Sequence, residues 1–274
     1  MKILLSLFLI LSASISYAGL TEGFDAMDRG DHKTAIFNFK EALSEEENAD
    51  SRGDINKYLG ITYTMAGEDI DHDYKLAFDS LTKASVNYNK IIHSLIADSY
   101  FYGKGVEKDY RQARKHYNLA LKHQEEESAL WMLGKIYLHG YGVTQDYTKA
   151  LEYFLRADAL NENNSRYEIG HIYEYGKGVD KNIDKALEYY RLGAKEGDAD
   201  AQYKINVLTG VIPDSERNHN FETALDYSYG YTRSVDYQKA IEHYQLAADE
   251  GSIVSTYNIA FLLETTMPTK QKGS

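Results

Sequence analysis

The chain has 274 residues, a formal net charge of −12, nine histidines and no cysteine. Because nucleic-acid binding depends on Lys and Arg side chains that neutralise phosphates, this acidic balance argues against a nucleic-acid partner and favours a partner with a basic surface. The lack of cysteine excludes disulfides, thiolate ligands for metals and lipid attachment at a cysteine. The stability of the fold must therefore come from packing alone.

The first 18 residues have the pattern of a secretory signal peptide. Lys2 precedes an apolar run, and the small residues Ser16 and Ala18 predict cleavage before Gly19. The run is shorter than the roughly 20 residues that a membrane-spanning helix needs, and no later segment offers such a span. We therefore expect an exported protein, periplasmic or secreted.

A glycine-containing motif recurs along the chain. It reads Gly103-Lys104-Gly105-Val106, then Gly140-Tyr141-Gly142-Val143, then Gly176-Lys177-Gly178-Val179, at intervals of about 36 residues. A fixed period of this length is typical of a solenoid, in which each unit buries its apolar face only by stacking on its neighbours. We therefore expect function to lie on an extended repeated surface rather than in one pocket.

Two further positions recur after the glycine motif, namely a polar residue that begins a second helix and an alanine one turn later. The polar residues are Asp109, Asp146, Asn182 and Asp236. The alanines are Ala35, Ala77, Ala113, Ala150, Ala186 and Ala240. Glycine ends a helix cheaply in the left-handed conformation, and a short polar side chain accepts hydrogen bonds from the first N–H groups of the next helix. The pattern predicts a series of αα-hairpins.

A large side chain follows each alanine by four residues and so shares its helix face. These side chains are Phe39, Leu81, Tyr117, Phe154, Tyr190 and Tyr244. The first helices carry small residues six positions before the loop glycine, at Ala97, Gly134 and Gly170. The alternation of small and large residues predicts a packing seam between the two helices of each hairpin.

These positions resemble the Sel-one-like repeat, an αα-hairpin relative of the tetratricopeptide repeat. The resemblance is clearest from Leu133-Gly134 through the loop at Gly140 to Val143 and on to Tyr153-Phe154. It implies an all-α fold, a right-handed α-solenoid of about six αα-hairpin repeats with a C-terminal capping helix. It also implies a protein-binding scaffold, often one of the bacterial envelope.

The spacing divides the chain into a signal peptide (1–18), a solenoid (19–266) and a polar tail (267–274). The predicted hairpins span 20–47, 53–90, 91–126, 127–162, 163–198 and 199–252, with 253–266 as the cap. The segment 210–229 is predicted to interrupt the last hairpin, since Pro213 argues against a continuous helix there. It is either a plain surface loop or a loop that contacts a partner. The acidic runs 45–47 and 125–127 are predicted to be solvated turns.

The sequence offers little support for catalysis. Ser80-Leu81-Thr82-Lys83 matches the Ser-x-x-Lys motif of penicillin-recognising enzymes, but the repeat explains Ser80, and neither Ser-Asp-Asn nor Lys-Thr-Gly accompanies it. The histidines lack metal-ligand spacing. We therefore predict a non-catalytic protein without a cofactor or metal. The alternatives are an envelope glycan- or peptidoglycan-binding protein or enzyme, and a structural spacer.

Some residues of the first helices are not required for packing by the repeat pattern. We expect these residues to bind a protein or peptide in a groove. Apolar members would anchor the partner and charged members would set its register. The predicted groove residues are Asp98, Phe101, Lys135, Leu138, His139, His171, Glu174 and Tyr175.

Overall fold

A computed structural model describes residues 17–65, 74–84, 90–122, 126–161, 164–212, 218–230 and 235–266. Within these ranges the chain forms fourteen α-helices and no strand. The predicted signal peptide, except for its last two residues, and the predicted tail 267–274 lie outside the described residues. The helices are α1 (Tyr17–Asp28), α2 (His32–Glu45), α3 (Ala49–Met65), α4 (Tyr74–Lys83), α5 (Lys90–Tyr102), α6 (Tyr110–Ala120), α7 (Glu127–His139), α8 (Tyr147–Ala159), α9 (Ser165–Tyr175), α10 (Ile183–Lys195), α11 (Ala199–Leu208), α12 (His219–Tyr229), α13 (Tyr237–Asp249) and α14 (Ile253–Thr266).

Consecutive helices pack as antiparallel pairs, among them α1 with α2, α5 with α6, α9 with α10 and α12 with α13. The predicted all-α fold of stacked αα-hairpins is therefore confirmed. Contacts within the chain divide it into two compact units, Met1–Met132 and Leu133–Ser274. They are called unit 1 and unit 2 below, and each is described by itself.

The predicted helix caps are present. The side chains of Asp109, Asp146, Asn182 and Asp236 accept hydrogen bonds from backbone N–H groups in the first turns of α6, α8, α10 and α13. The first helices α9 and α12 end at Gly176 and Gly230, both in the left-handed conformation with φ of 66°. The repeat spacing thus sets where these helices begin and end.

The second glycine of the loop allows two backbones to approach closely. A Cβ atom added at Gly105 would overlap the carbonyl oxygen of Tyr74 at the start of α4. In unit 2, a Cβ atom at Gly178 would lie 2.8 Å from the backbone nitrogen of Thr148 in α8. The Thr148 hydroxyl donates to the Gly178 carbonyl oxygen at 2.9 Å. This glycine therefore joins the loop of one hairpin to the second helix of the preceding one.

The predicted small–large seam is also confirmed. In unit 2, a Cβ atom at Gly170 would lie 2.7 Å from the Tyr190 ring, and one at Gly134 would lie 2.5 Å from the Phe154 ring. The rings of Tyr190 and Phe154 are fully buried. Because each ring fills the space that a side chain on the facing helix would take, the seam fixes how closely the two helices approach.

The interruption of the last hairpin lies earlier than predicted. Most of the segment 210–229 belongs to α12, which begins at an Asn218 cap and pairs with α13. The additional material is instead α11 and the segment after it, in residues 199–218. The helix forms because Ala224, Tyr227 and Gly230 repeat the first-helix spacing, and Pro213 precedes the helix rather than breaking it.

Candidate partner-binding surface

The structure buries several of the predicted groove residues. Leu138 is 1% exposed and Phe101 is 7% exposed, so the prediction that packing leaves these two side chains free is wrong. His171 and Glu174 are also buried, at 2% and 8% exposure. Both lie on α9 among neighbouring helices, where the sequence pattern of one helix does not reveal the contacts. Any binding role of these residues remains a prediction.

Asp98 and Phe101 belong to unit 1. The hydroxyl of the fully buried Tyr117 donates to the Asp98 carboxylate at 2.5 Å, so Asp98 supports the α5–α6 pair. Burial raises the pKa of Asp98 to about 6, against the opposing effect of the Tyr117 hydrogen bond. Phe101 packs edge-on against Tyr110 at a centroid distance of 5.1 Å. Both predicted residues therefore have structural partners.

The other six predicted residues belong to unit 2. Lys135 and His139 are half-buried on α7. Burial, with a smaller contribution from Lys135, lowers the pKa of His139 to about 3, and burial lowers the pKa of Lys135 against the opposing charge of Glu168. The His139 imidazole is therefore neutral at neutral pH.

Glu174 is the centre of a buried polar cluster in unit 2. Its carboxylate accepts a hydrogen bond from the Tyr190 hydroxyl at 2.6 Å and another from the Lys204 ammonium at 3.2 Å. The Lys204 and Glu174 side chains are each 11% exposed. Burial alone would lower the pKa of Lys204, but Glu174 and Tyr175 together raise it. Because Lys204 stays protonated, it binds and orients neighbouring groups and is a poor nucleophile.

Tyr175 is the exposed member of this cluster. Its ring is 48% exposed, and its hydroxyl accepts a hydrogen bond from the Lys204 ammonium at 3.3 Å. The ring also stacks on the buried His171 imidazole at a centroid distance of 4.3 Å. An aromatic ring that is held from two sides loses little conformational entropy when a ligand binds it.

A second buried carboxylate adjoins this cluster. Asp200 on α11 accepts hydrogen bonds from the Tyr229 hydroxyl at 3.1 Å and from the Asn258 amide at 3.0 Å. Burial raises the pKa of Asp200 to about 6, although the Asn258 hydrogen bond opposes the shift. Tyr167 stacks on Tyr229 at 5.0 Å. Asp200 therefore ties α11 to α12 and α14.

We call the side chains around Tyr175 the first-helix face of unit 2, which comprises Lys135, His139, His171, Glu174, Tyr175 and Lys204. The face combines an exposed aromatic ring with charges that are largely compensated beneath it. Such an arrangement suits recognition, because aromatic rings supply contact area and fixed charges supply orientation.

The Ser-x-x-Lys motif and the histidines are the features that bear on catalysis and metal binding. Ser80 is 7% exposed in α4, at the repeat position that the sequence indicated. Across the part of the chain that the structure describes, no group of three or more His, Cys, Asp or Glu side chains is placed to hold a metal ion. No described helix is both long and apolar enough to cross a membrane.

The sequence reasoning did not identify Lys204, Asp200 or Asn258. The repeat period does indicate the helix α11, which carries Lys204 and Asp200, because Tyr203 and Ile205 stand 36 residues after Tyr167 and Ile169. The helix α11 is thus a first helix at the regular period. Its contact with Glu174, 30 residues earlier, depends on stacking between hairpins and is not encoded in the spacing.

The sequence profile of the Sel1 repeat matches this chain at residues 94–124, 127–157, 164–198 and 221–252. The fourth match covers nearly all of α12 and α13, in agreement with the position of the last hairpin in the structure.

Curated relatives match shorter regions. Human protein sel-1 homolog 2 is 33% identical over 73 residues, which are 27% of this chain and 11% of that protein. HRD3B of Arabidopsis thaliana, an ERAD-associated E3 ubiquitin-protein ligase component, is 32% identical over 108 residues, covering 39% of this chain and 17% of that protein. The chain thus spans less than a fifth of the length of these two relatives.

Solved structures share the fold over most of the chain. A protective antigen of uropathogenic Escherichia coli with an SLR fold matches with a TM-score of 0.62 and 23% identity, over 93% of this chain and 58% of the other. A Sel1 repeat protein from Oxalobacter formigenes matches with a TM-score of 0.57 and 23% identity, over 92% of this chain and 94% of the other. These neighbours show the fold, and the four profile matches, which fall on helix pairs of the hairpin stack, identify the chain as a Sel1 repeat protein.

Proposed function

We propose that this protein is a non-catalytic scaffold of the bacterial envelope that binds a protein or peptide through the first-helix face of unit 2. Sel1 repeats mediate protein–protein interaction, and the plant relative HRD3B is named as a component of a larger ligase assembly. The N-terminal pattern of Lys2, an apolar run and Ala18 supports export. The acidic net charge favours a partner with a basic surface.

The observation that carries this proposal is the position of Tyr175. Its ring is half-exposed, stacks on His171 and accepts a hydrogen bond from Lys204. Tyrosine is enriched among the residues that dominate binding energies, and a ring held in place before binding contributes more than a mobile one. The compensated charges of Lys204 and Glu174 around it would orient a partner.

The proposal is tested by cross-linked capture from envelope extracts with the wild type and Tyr175→Ala. Loss of a central aromatic contact commonly costs about 2 kcal/mol or more, so we expect recovery of a specific partner to fall at least about tenfold. Because the ring is half-exposed, the variant should keep its helical content and melting temperature. Leu138 is unsuitable for this test, because a charged substitution at this buried position would unfold the hairpin.

The matched control is Tyr102→Ala. Tyr102 stands directly before the loop glycine in α5, as Tyr175 does in α9, and it is 42% exposed in unit 1. This substitution should leave capture unchanged. Equal recovery of the same partner by the wild type and both variants would remove the first-helix face of unit 2 from the proposal.

A further inference from the structure

The helix α14 is a first helix whose packing face is exposed. Tyr257, Ala260 and Leu263 stand 36 residues after Phe221, Ala224 and Tyr227 of α12. In α12, Phe221 and Ala224 are 1% and 0% exposed. In α14, Tyr257 is 72% exposed, Leu263 is 46% exposed and Ala260 is also exposed.

The α12–α13 hairpin shows what such a face normally contacts. Phe221 packs against the Tyr244 ring at a centroid distance of 5.7 Å, and Tyr227 stacks on the His243 ring at 5.6 Å. Both of these partners belong to the second helix α13. The face of α14 therefore has the shape that accepts another helix with bulky side chains.

The opposite side of α14 is fixed to unit 2. Leu262 is 6% exposed in the core formed by α12 and α13, and Val254 and Ile259 pack against the same core. Ser255 is fully buried, and Asn258 donates to Asp200. The exposed face is thus presented by an anchored helix, which lowers the entropic cost of binding to it.

The first eleven residues of α14 are uncharged. No charged residue occurs from Ile253 to Leu263, although 26% of the chain is charged and its net charge is −12, and Glu264 follows one turn after Ala260. Terminal repeats of solenoids usually present a polar outer face to water. Exposed aromatic and aliphatic side chains such as Tyr257 and Leu263 are instead typical of an interaction surface.

We propose that a second copy of this chain covers this face, with the two α14 helices packed antiparallel about a two-fold axis. The face is self-complementary, because Tyr257 and Ala260 lie one turn apart, so that the ring of each copy can fit over the alanine of the other. Two acidic molecules repel each other, and this arrangement places the uncharged stretch from Ile253 to Leu263 at the centre of the contact and Glu264 toward its edge.

The absence of cysteine makes a site-specific test direct. The single variant Ala260→Cys, treated with a short bismaleimide, should form covalent dimers at low micromolar protein. Phe37→Cys, at a position that is 58% exposed on α2, is the matched control and should remain monomeric. Labelling with a monofunctional maleimide checks that both thiols react. Equal dimer yields from the two variants would overturn the proposal.

Sedimentation velocity provides the second measurement. The wild type should sediment as a dimer at about 100 µM, and Tyr257→Glu with Leu263→Glu should weaken dimerisation at least about tenfold, because the two charges would be buried in the contact. Both side chains are substantially exposed, so the variant should keep its melting temperature. A monomeric wild type at that concentration contradicts the proposal. The exposed face of α14 does not include Tyr175. A failure of the dimer proposal would therefore leave the result of the Tyr175 capture experiment unaffected.

Discussion

Two buried tyrosines on second helices donate to acids that stand at different positions of the first helix. Tyr117 donates to Asp98, and Tyr190 donates to Glu174, although the two acids stand five and two residues before their loop glycines. Between them, Phe154 has no hydroxyl, and the corresponding first-helix positions hold Lys135 and Leu138. A buried phenol needs a hydrogen-bond partner, which Asp98 and Glu174 supply at these two rings, whereas the Tyr244 hydroxyl contacts the Ser228 hydroxyl at 3.4 Å.

The buried carboxylate of Asp200 should make stability depend on pH. Its folded pKa of about 6 lies above the value of an unfolded aspartate, so the folded state binds a proton more readily between about pH 4 and 6. Its contribution to stability is therefore present at low pH and is lost as pH rises through this window. In Asp200→Asn this dependence disappears, and the difference in unfolding free energy between variant and wild type should change by about 2 to 3 kcal/mol between pH 4 and 7.

The measurement is urea unfolding of both proteins across this pH range. Histidines with lowered pKa values, such as His139 and His116, decrease the stability of the fold as pH falls, which is opposite to the effect of Asp200. Both proteins contain these histidines, so the difference in unfolding free energy between the two proteins isolates Asp200. The other groups that face Asp200 include Tyr167, Asp198, Lys204, Tyr229, Tyr244 and Asn258. A difference that stays constant with pH would show that Asp200 does not titrate in this window.

At the scale of structural elements, the loop between α5 and α6 contains two glycines that are required for different physical reasons. Gly103 and Gly105 both have a φ of +73°. An added Cβ atom at Gly103 would meet its nearest atom at 3.5 Å, whereas one at Gly105 would overlap Tyr74. The first glycine is required for its conformation alone, and the second also for the approach of the preceding hairpin.

Alanine substitutions should therefore differ in cost. Gly103→Ala is expected to cost about 1 to 2 kcal/mol from the left-handed conformation. Gly105→Ala carries the same strain and also displaces backbone, which adds about 1 to 3 kcal/mol. Chemical denaturation of the two variants measures the difference. Equal destabilisation would mean that the loop and α4 separate at little cost.

The helix α11 follows the repeat period, but the predicted hairpin 199–252 pairs it with the wrong second helix. The gap of 54 residues between Ala186 and Ala240 indicates additional residues, and Pro213 predicts that they lie in the segment 210–229. The complete α12–α13 hairpin instead places the additional residues in α11 and the segment after it. The marker alanines lie on second helices, so a first helix without a second helix leaves no marker.

At the scale of the whole molecule, export is the feature that the proposed function most depends on. In the described part of the N-terminal region, Leu20 is 5% exposed and belongs to the core of unit 1, directly after the predicted cleavage site. Cleavage before Gly19 would remove Tyr17 and Ala18 from α1 and retain the core residues Leu20 and Ala26.

We expect the protein from the envelope fraction to begin at Gly19. Intact-mass measurement should show the loss of residues 1–18, and the processed protein should unfold at the same temperature as recombinant 19–274. Ala18→Asp, which replaces the small residue before the cleavage site, should accumulate uncleaved protein. Full-length protein in the cytoplasmic fraction of the wild type would contradict export.

The sequence by itself determined the hairpins before α11, their caps and their small–large seams, because these depend on residues a few positions apart or on neighbouring helices of one repeat. The run at 45–47, predicted to be a solvated turn, begins at the last residue of α2, and the prediction is wrong for Glu46, which is 5% exposed. Only the tertiary structure decided which first-helix side chains are buried and which carboxylates are paired. Lys204 meets Glu174 across 30 residues, and Asn258 meets Asp200 across 58. Such contacts arise where hairpins stack, and the polar residues that form them differ from one repeat to the next, so no period reveals them.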